Sequence, residues 1–234
     1  MTISTPVAQS AKQSLRGAGI PIVFAAITDP IKAKLVVDWD HGADDMTGSS
    51  DQQNAPSIIA FVQKLIPGIK KLGMLYNPGE DNNLSVLERL KAAGKDAGIE
   101  IVEAGCDSAA DIPIRTASLK SRAEAVFVPS GGMMQPAIPA ISAAAGQVSL
   151  PVINSSAVAA RDGLVLAGYE VNYDEVGREA GAIAAKILKG AKTADIPPVR
   201  VGKDDFKVVI SEKQLKKLGM ALPTALADCK CVVE

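Results

Sequence analysis

The sequence predicts an α/β fold built from parallel strands alternating with helices. Short apolar runs rich in β-branched residues recur along the chain, segments with apolar residues at helical spacing separate them, and capping and stop residues mark the helix ends. The runs at 22–27, 72–76, 99–104, 125–128, 151–154 and 164–168 read as buried strands. Ile58, Phe61, Val62 and Leu65, and later Val176, Ala180, Ile183, Ala184 and Ile187, mark the apolar faces of two helices.

Taken in order, Thr5 ahead of Pro6 reads as an N-cap with proline in the first turn, and Asn54 with Pro56 repeats the arrangement. Gly17, Gly98 and Gly190 read as helix stops. Only four residues precede the first helix, so no strand is expected to feed it, and upstream βα units are expected to be missing. Residues 37–53 are polar and rich in Asp and Gly, and they read as a first crossing between two lobes.

Composition narrows the function. The 234 residues are 47% hydrophobic, which excludes a disordered chain, and 25 basic residues balance 26 acidic ones, leaving no extended basic face for nucleic acid. No apolar run approaches the roughly 20 residues that span a bilayer, and residues 1–9 lack the pattern of an export signal. Direct membrane insertion is therefore not expected. Cys106, Cys229 and Cys231 make no disulfide framework and read as incidental, the close pair lying in a C-terminal tail.

In an open parallel sheet, ligands collect beyond the carboxyl ends of the strands. Here those positions hold Thr28 and Asp29, Tyr76 and Asn77, Ser130 with Gly131 and Gly132, Asn154 and Ser155, and Tyr169 with Asn172. Most are small and polar, suited to hydrogen-bonding a ligand. Each also has a purely conformational reading: Asp29 before Pro30 caps a turn, Asn77 before Pro78 is a turn pair, and Ser130-Gly131-Gly132 leads into a helix.

The usual enzymatic patterns fail on spacing. Gly17 and Gly19 precede a strand and lack a third glycine, and residues 190–193 end a helix where a phosphate loop would open one. No G-x-S-x-G elbow occurs. The sole histidine, His41, lies in an acidic loop with Asp38, Asp40, Asp44 and Asp45, whose spacing does not match a Ca²⁺ loop. No catalytic residue, cofactor or metal site is expected.

Residues 21–30 (PIVFAAITDP), 46–51 (MTGSSD), 75–80 (LYNPGE), the run from Ile187 through Pro197, and Lys216 to Gly219 with Leu222 and Pro223 resemble the ABC transporter substrate-binding proteins of the tryptophan/tyrosine-binding type. The resemblance implies a periplasmic-binding-protein clamp of two Rossmann-like lobes, the N-terminal one incomplete, closing on a small ligand. It implies lobe boundaries of 1–52 and 53–168, a return to the first lobe at 169–206, and a closing segment and tail at 207–234. Thr5, Gln9, Thr28 and Asp29 would line one side of the cleft, Asn77, Glu80, Asn82, Ser130 and Asn154 the other, with Asn172 near the hinge. The implied partners are a small-molecule ligand and a membrane permease, and the implied location is periplasmic or extracytoplasmic. A ligand-sensing module of a regulator and an α/β enzyme are the alternatives.

Aromatic residues are only 3% of the chain, so a sugar site built on Trp39, Tyr76, Tyr169 and Tyr173 is disfavoured, and an amino acid or small carboxylate fits better. Asp29 is the nearest acceptor for a ligand ammonium, and the amides around Ser130 suit a carboxylate.

Overall fold

The computed structural model describes residues 1–200 and 206–234, so residues 201–205 of the expected return segment lie outside it. Two compact units partition the chain: Met1–Gln53, Glu80–Ser85 and the described part of Val171–Asp205 form the first, and Asn54–Gly79, Val86–Glu170 and Phe206–Glu234 the second.

In chain order the elements are β1 (Thr2–Ile3), α1 (Thr5–Ser14), β2 (Ile22–Ala25), β3 (Met46–Ser50), α2 (Ala55–Leu65), β4 (Lys71–Tyr76), α3 (Asp81–Ala97) and β5 (Glu100–Gly105). They continue as α4 (Ile112–Ser118), β6 (Ala125–Val128), α5 (Ile138–Gln147), β7 (Val152–Asn154), α6 (Val158–Arg161), β8 (Ala167–Val171) and α7 (Tyr173–Leu188). The last are β9 (Val199–Arg200), β10 (Phe206–Ser211), α8 (Glu212–Leu218) and β11 (Val232–Val233).

The first unit holds a four-stranded sheet in the order β1-β2-β3-β9, every neighbouring pair parallel. Contrary to the sequence expectation, a strand does feed α1: β1 pairs Thr2 with Phe24 and Ile3 with Ala25. Two residues are too short to show a hydropathy period. The helix also starts one residue early, with Ser4 at φ 75° in the N-cap position and Thr5 inside it.

A second correction concerns residues 37–53. Met46–Ser50 is no crossing segment but a strand with every residue buried, between β2 and β9. Its polar side chains are satisfied inside the unit: Thr47 Oγ1 donates to the Ile196 carbonyl at 2.8 Å and Ser49 Oγ to the Val176 carbonyl at 2.8 Å. Gly48 is required by crowding, because a Cβ there would run into the carbonyl and ring of Phe24. Ala8, Ile22, Phe24, Ile27, Leu35 and Met46 form the apolar core around this sheet.

The second unit carries a seven-stranded sheet, β11-β10-β8-β7-β6-β4-β5, with an apolar cluster on each face. On β4, Leu72 and Met74 enter one cluster and Leu75 the other, as the two-residue period of a doubly covered strand requires. Asn54 caps α2 as expected, its side chain accepting from the Ser57 amide. The run read at 164–168 lies partly ahead of its strand: Leu166 is buried, but pairing with β7 starts at Ala167. Residues 207–234 supply most of β10, with α8 and β11, and α8 is closed by Ser211 at its start and Gly219 at φ 66° after its end. Cys229 and Cys231, read as incidental, form a disulfide, and the Cys231 carbonyl accepts from the Ile210 amide as β11 joins β10.

Candidate functional site: polar groups at the strand ends

In the first unit, β2, β3 and the start of α7 bring small polar groups together. After β2 the chain turns through Ala26 at φ 55° and Ile27 to Thr28, whose carbonyl accepts from Gln52 Nε2 at 3.1 Å and from Ser50 Oγ at 3.5 Å. Asp51, at the end of β3, is 6% exposed, and its Oδ2 accepts from the Tyr173 hydroxyl at 3.3 Å. Burial pushes the Asp51 carboxyl above the usual carboxylate range, against the opposing pull of hydrogen bonds from the Thr28 and Tyr173 hydroxyls. Asn172 occupies the N-cap of α7 but makes no side-chain cap bond.

Asp29 has the local role its place before Pro30 suggested: Oδ1 accepts from the Lys32 amide at 3.0 Å. Its Oδ2 accepts from Ser85 Oγ at 2.8 Å. Gln9 Nε2 donates to Asp81 Oδ2 at 2.8 Å and to the Ala33 carbonyl at 3.2 Å. Glu80 holds Asn83 through Oε2 at 3.0 Å. Thr5 and Asn82 are buried. Thr5, Gln9, Thr28, Asp29, Glu80, Asn82 and Asn172 thus all fall in the first unit.

In the second unit, the strand order turns between β4 and β6, so the loops after those strands flank the position where open α/β sheets bind ligands. Asn77 follows β4, and its Oδ1 accepts from the Gly79 amide at 2.8 Å in a side-chain-closed turn. Ser130, Gly131 and Gly132 follow β6, but they do not begin a helix: both glycines take positive φ, 79° and 51°, and α5 starts only at Ile138. The expected row of amides at a helix N-terminus is therefore absent there. Asn154 is fully buried and braces the loop, with Nδ2 donating to the Val128 carbonyl at 3.0 Å and to Gln135 Oε1 at 3.4 Å, and Oδ1 accepting from the Ser156 amide at 3.0 Å. Ser155 is buried beside it, its amide on the Val128 carbonyl. Tyr76 turns toward the neighbouring strand, its hydroxyl donating to Glu103 Oε2 at 2.9 Å.

Two of the four candidate aromatic faces, those of Tyr169 and Trp39, are occupied. Tyr169 stacks on Phe206 with ring centres 4.9 Å apart, and the Arg200 guanidinium lies 3.7 Å above the Trp39 ring. Among the described residues, no cluster of His, Cys, Asp and Glu could hold a metal ion. His41 is exposed, with Nδ1 3.2 Å from Asp38.

This architecture has relatives. Residues 1–230 match the sequence profile described as ABC transporter substrate binding protein. The chain belongs to that family. It is similar to a curated tyrosine-binding protein of Clostridioides difficile (strain R20291), with 30% identity over 218 residues, and covers 93% of its own length but only 62% of that relative's. Among solved structures it resembles a conserved domain protein from Vibrio cholerae, with 28% identity and a TM-score of 0.91, covering 99% of this chain and 77% of that one. It also resembles the ABC domain in complex with L-Trp from Streptococcus pneumonia, with 29% identity and a TM-score of 0.89, again covering 99% and 77%. The fold expected from the sequence, a periplasmic-binding-protein-like α/β architecture, is the fold of these solved structures.

Ser50, Asp51, Gln52, Tyr173, Asp81, Ser85 and Gln135, which the sequence pattern did not single out as ligand-lining, join the hydrogen-bond networks around the candidate residues. The strand-end rule that selected Thr28 and Asn77 would have selected Asp51 too, had the polar run 46–50 been recognised as a strand.

Proposed function

We propose that this chain is the substrate-binding component of an ABC-type importer and that its ligand is a small amino acid or carboxylate. The observation that carries the reading is the gathering of small polar side chains at the carboxyl ends of both parallel sheets, in a member of a substrate-binding family. Binding of tyrosine or tryptophan by similar proteins makes those amino acids the first ligands to try here.

The chain is proposed to bind without chemical conversion. Its strand-end side chains are amides, hydroxyls and carboxylates bonded to one another and to backbone, an arrangement that orients a ligand and activates no nucleophile. A permease as partner and an extracytoplasmic location follow from the family and belong to the proposal. Among the described residues no helix is long and apolar enough to cross a membrane.

The test is a thermal-shift titration with L-Trp, L-Tyr, the other amino acids and small carboxylates, followed by mass spectrometry of the recovered ligand. Saturation at a hundredfold excess over Kd stabilises the folded chain by about 2.7 kcal/mol, and the ligand is recovered unchanged. A panel without any saturable shift defeats the ligand assignment, and conversion of the ligand defeats the passive role.

A further inference from the structure

The second unit has a groove that the strand-end polar groups do not account for. It lies between α2, β8, β10 and the C-terminal tail, has a volume of about 560 Å³, and every residue lining it belongs to the second unit. None of the small polar side chains at the strand ends lines it. In a chain only 3% aromatic, three rings gather here in sequence, Phe61 with Tyr169 at 5.7 Å between ring centres and Tyr169 with Phe206 at 4.9 Å. Val208 and Leu226 complete the aliphatic part of the wall. Phe206 and Val208 are only partly buried although they pack on the apolar core, so the groove presents contiguous apolar surface to water. A concave apolar surface of this volume with a few polar groups at its edge is the form that small-molecule sites take.

The polar groups at the edge decide the ligand's charge. Lys64, in the last turn of α2, and Lys230, in the tail, both line the groove and both are exposed. Among the described residues that line it there is no carboxylate. Lys230 is also held in place: the Cys229–Cys231 disulfide closes around it, both half-cystines form part of the wall, and the Cys231 carbonyl accepts from the Ile210 amide at 2.8 Å. An apolar floor with two cations at its rim and no acid complements a molecule with an apolar body and one anionic end. The body leaves water against the rings and aliphatic side chains, and the anionic end stays at the rim beside the ammonium groups, where it keeps part of its hydration.

We infer that this groove is a second ligand site, which takes a free amphiphilic carboxylate of medium chain length with its carboxylate between Lys64 and Lys230. The inference does not depend on the importer role or on the ligand proposed for the strand-end groups.

Calorimetric titration of the 234-residue chain with sodium octanoate at pH 7.5 tests it, with 1-octanol as the uncharged probe of the same body. Octanoate is expected to bind saturably, one per chain, and 1-octanol about tenfold more weakly, the scale set by two exposed ion pairs. The Lys64→Glu, Lys230→Glu double variant is expected to lose about tenfold for octanoate while its affinity for 1-octanol is unchanged. Ala60→Trp, an exposed position on α2 that lines the groove, is expected to abolish both by filling the space. Octanoate binding should persist in saturating L-Trp, and a chain that binds octanoate but no amino acid would defeat the amino-acid reading alone. The assignment is overturned if the wild type shows no saturable octanoate binding, if octanoate and 1-octanol bind equally, if the double variant binds octanoate as the wild type does, or if L-Trp displaces octanoate. Retention on phosphatidylglycerol vesicles without binding of free octanoate, or a dimer in sedimentation that Ala60→Trp dissolves, would give the groove to a membrane or to a second copy of the chain and overturn it as well.

Discussion

A carboxyl group sealed from water prefers to keep its proton, and Asp51 is such a group in the unliganded chain. Its folded pKa is raised above the ordinary 3.8, so the folded state binds more protons than the unfolded one between those two values. The stabilisation this provides is complete below pH 3.8 and is lost as pH rises through the folded pKa. At neutral pH the residue therefore destabilises the unliganded chain, and Asp51→Asn should raise Tm by about 2–4 °C, corresponding to roughly 1 kcal/mol. Repeating the melts toward pH 4 should shrink that gain; a gain that does not change with pH would contradict the account. Cys106 gives a second prediction at this scale. Burial lifts its thiol to about 11, so it should resist iodoacetamide at pH 7.5 in the folded protein and react once the chain is denatured, as intact-mass measurement can show. The conformational roles of Asp29 and Asn77 were legible from the prolines that follow them, because turn chemistry is local. The importance of Asp51 was not, because it depends on which strand precedes it.

The strands that could be read were those whose burial is secured by apolar side chains. Ala125–Val128 coincides with its predicted run, and β2, β4, β5 and β7 differ from theirs by a residue or two at the ends. β3 was hidden because its hydroxyls are buried through bonds to the backbone of distant segments, and no hydropathy pattern records such partners. The two-residue strands β1, β9 and β11 are too short to carry a period. Gly48→Ala tests the β3 account: the new methyl group meets the carbonyl and ring of Phe24 between two paired strands, and the change should cost about 3 kcal/mol in chemical denaturation. Hydrogen exchange should locate the loss in β2 and β3, with the β4–β6 amides of the second unit unaffected. Thr47→Val, which leaves the Ile196 carbonyl without its donor, should cost less, about 1–2 kcal/mol.

At the scale of the molecule, the alternation of strands and helices announced the fold class, and ordered motifs along nearly the whole chain pointed to the family. What could not be read was the membership of each unit, because segments distant in sequence complete the same sheet. β9 closes the edge beside β3, and residues 80–85 join the first unit from the middle of the chain. Such pairing is decided by three-dimensional complementarity, which local propensity does not encode.

The hydroxyls of β3 also impose a timetable. Thr47 and Ser49 hydrogen-bond to residues 149 and 127 positions further along, so a growing chain leaving the ribosome exposes this strand long before its partners have been synthesised. The strand is then completed only once those distant segments exist, and until then its unpaired backbone and hydroxyls stay open to wrong pairing. The only tryptophan can time the event: Trp39 gains its cation over the ring only when Arg200 arrives beside it. In refolding from denaturant, its fluorescence change should therefore lag the recovery of far-UV ellipticity, and simultaneous signals would show that the first unit does not wait for its distant strand.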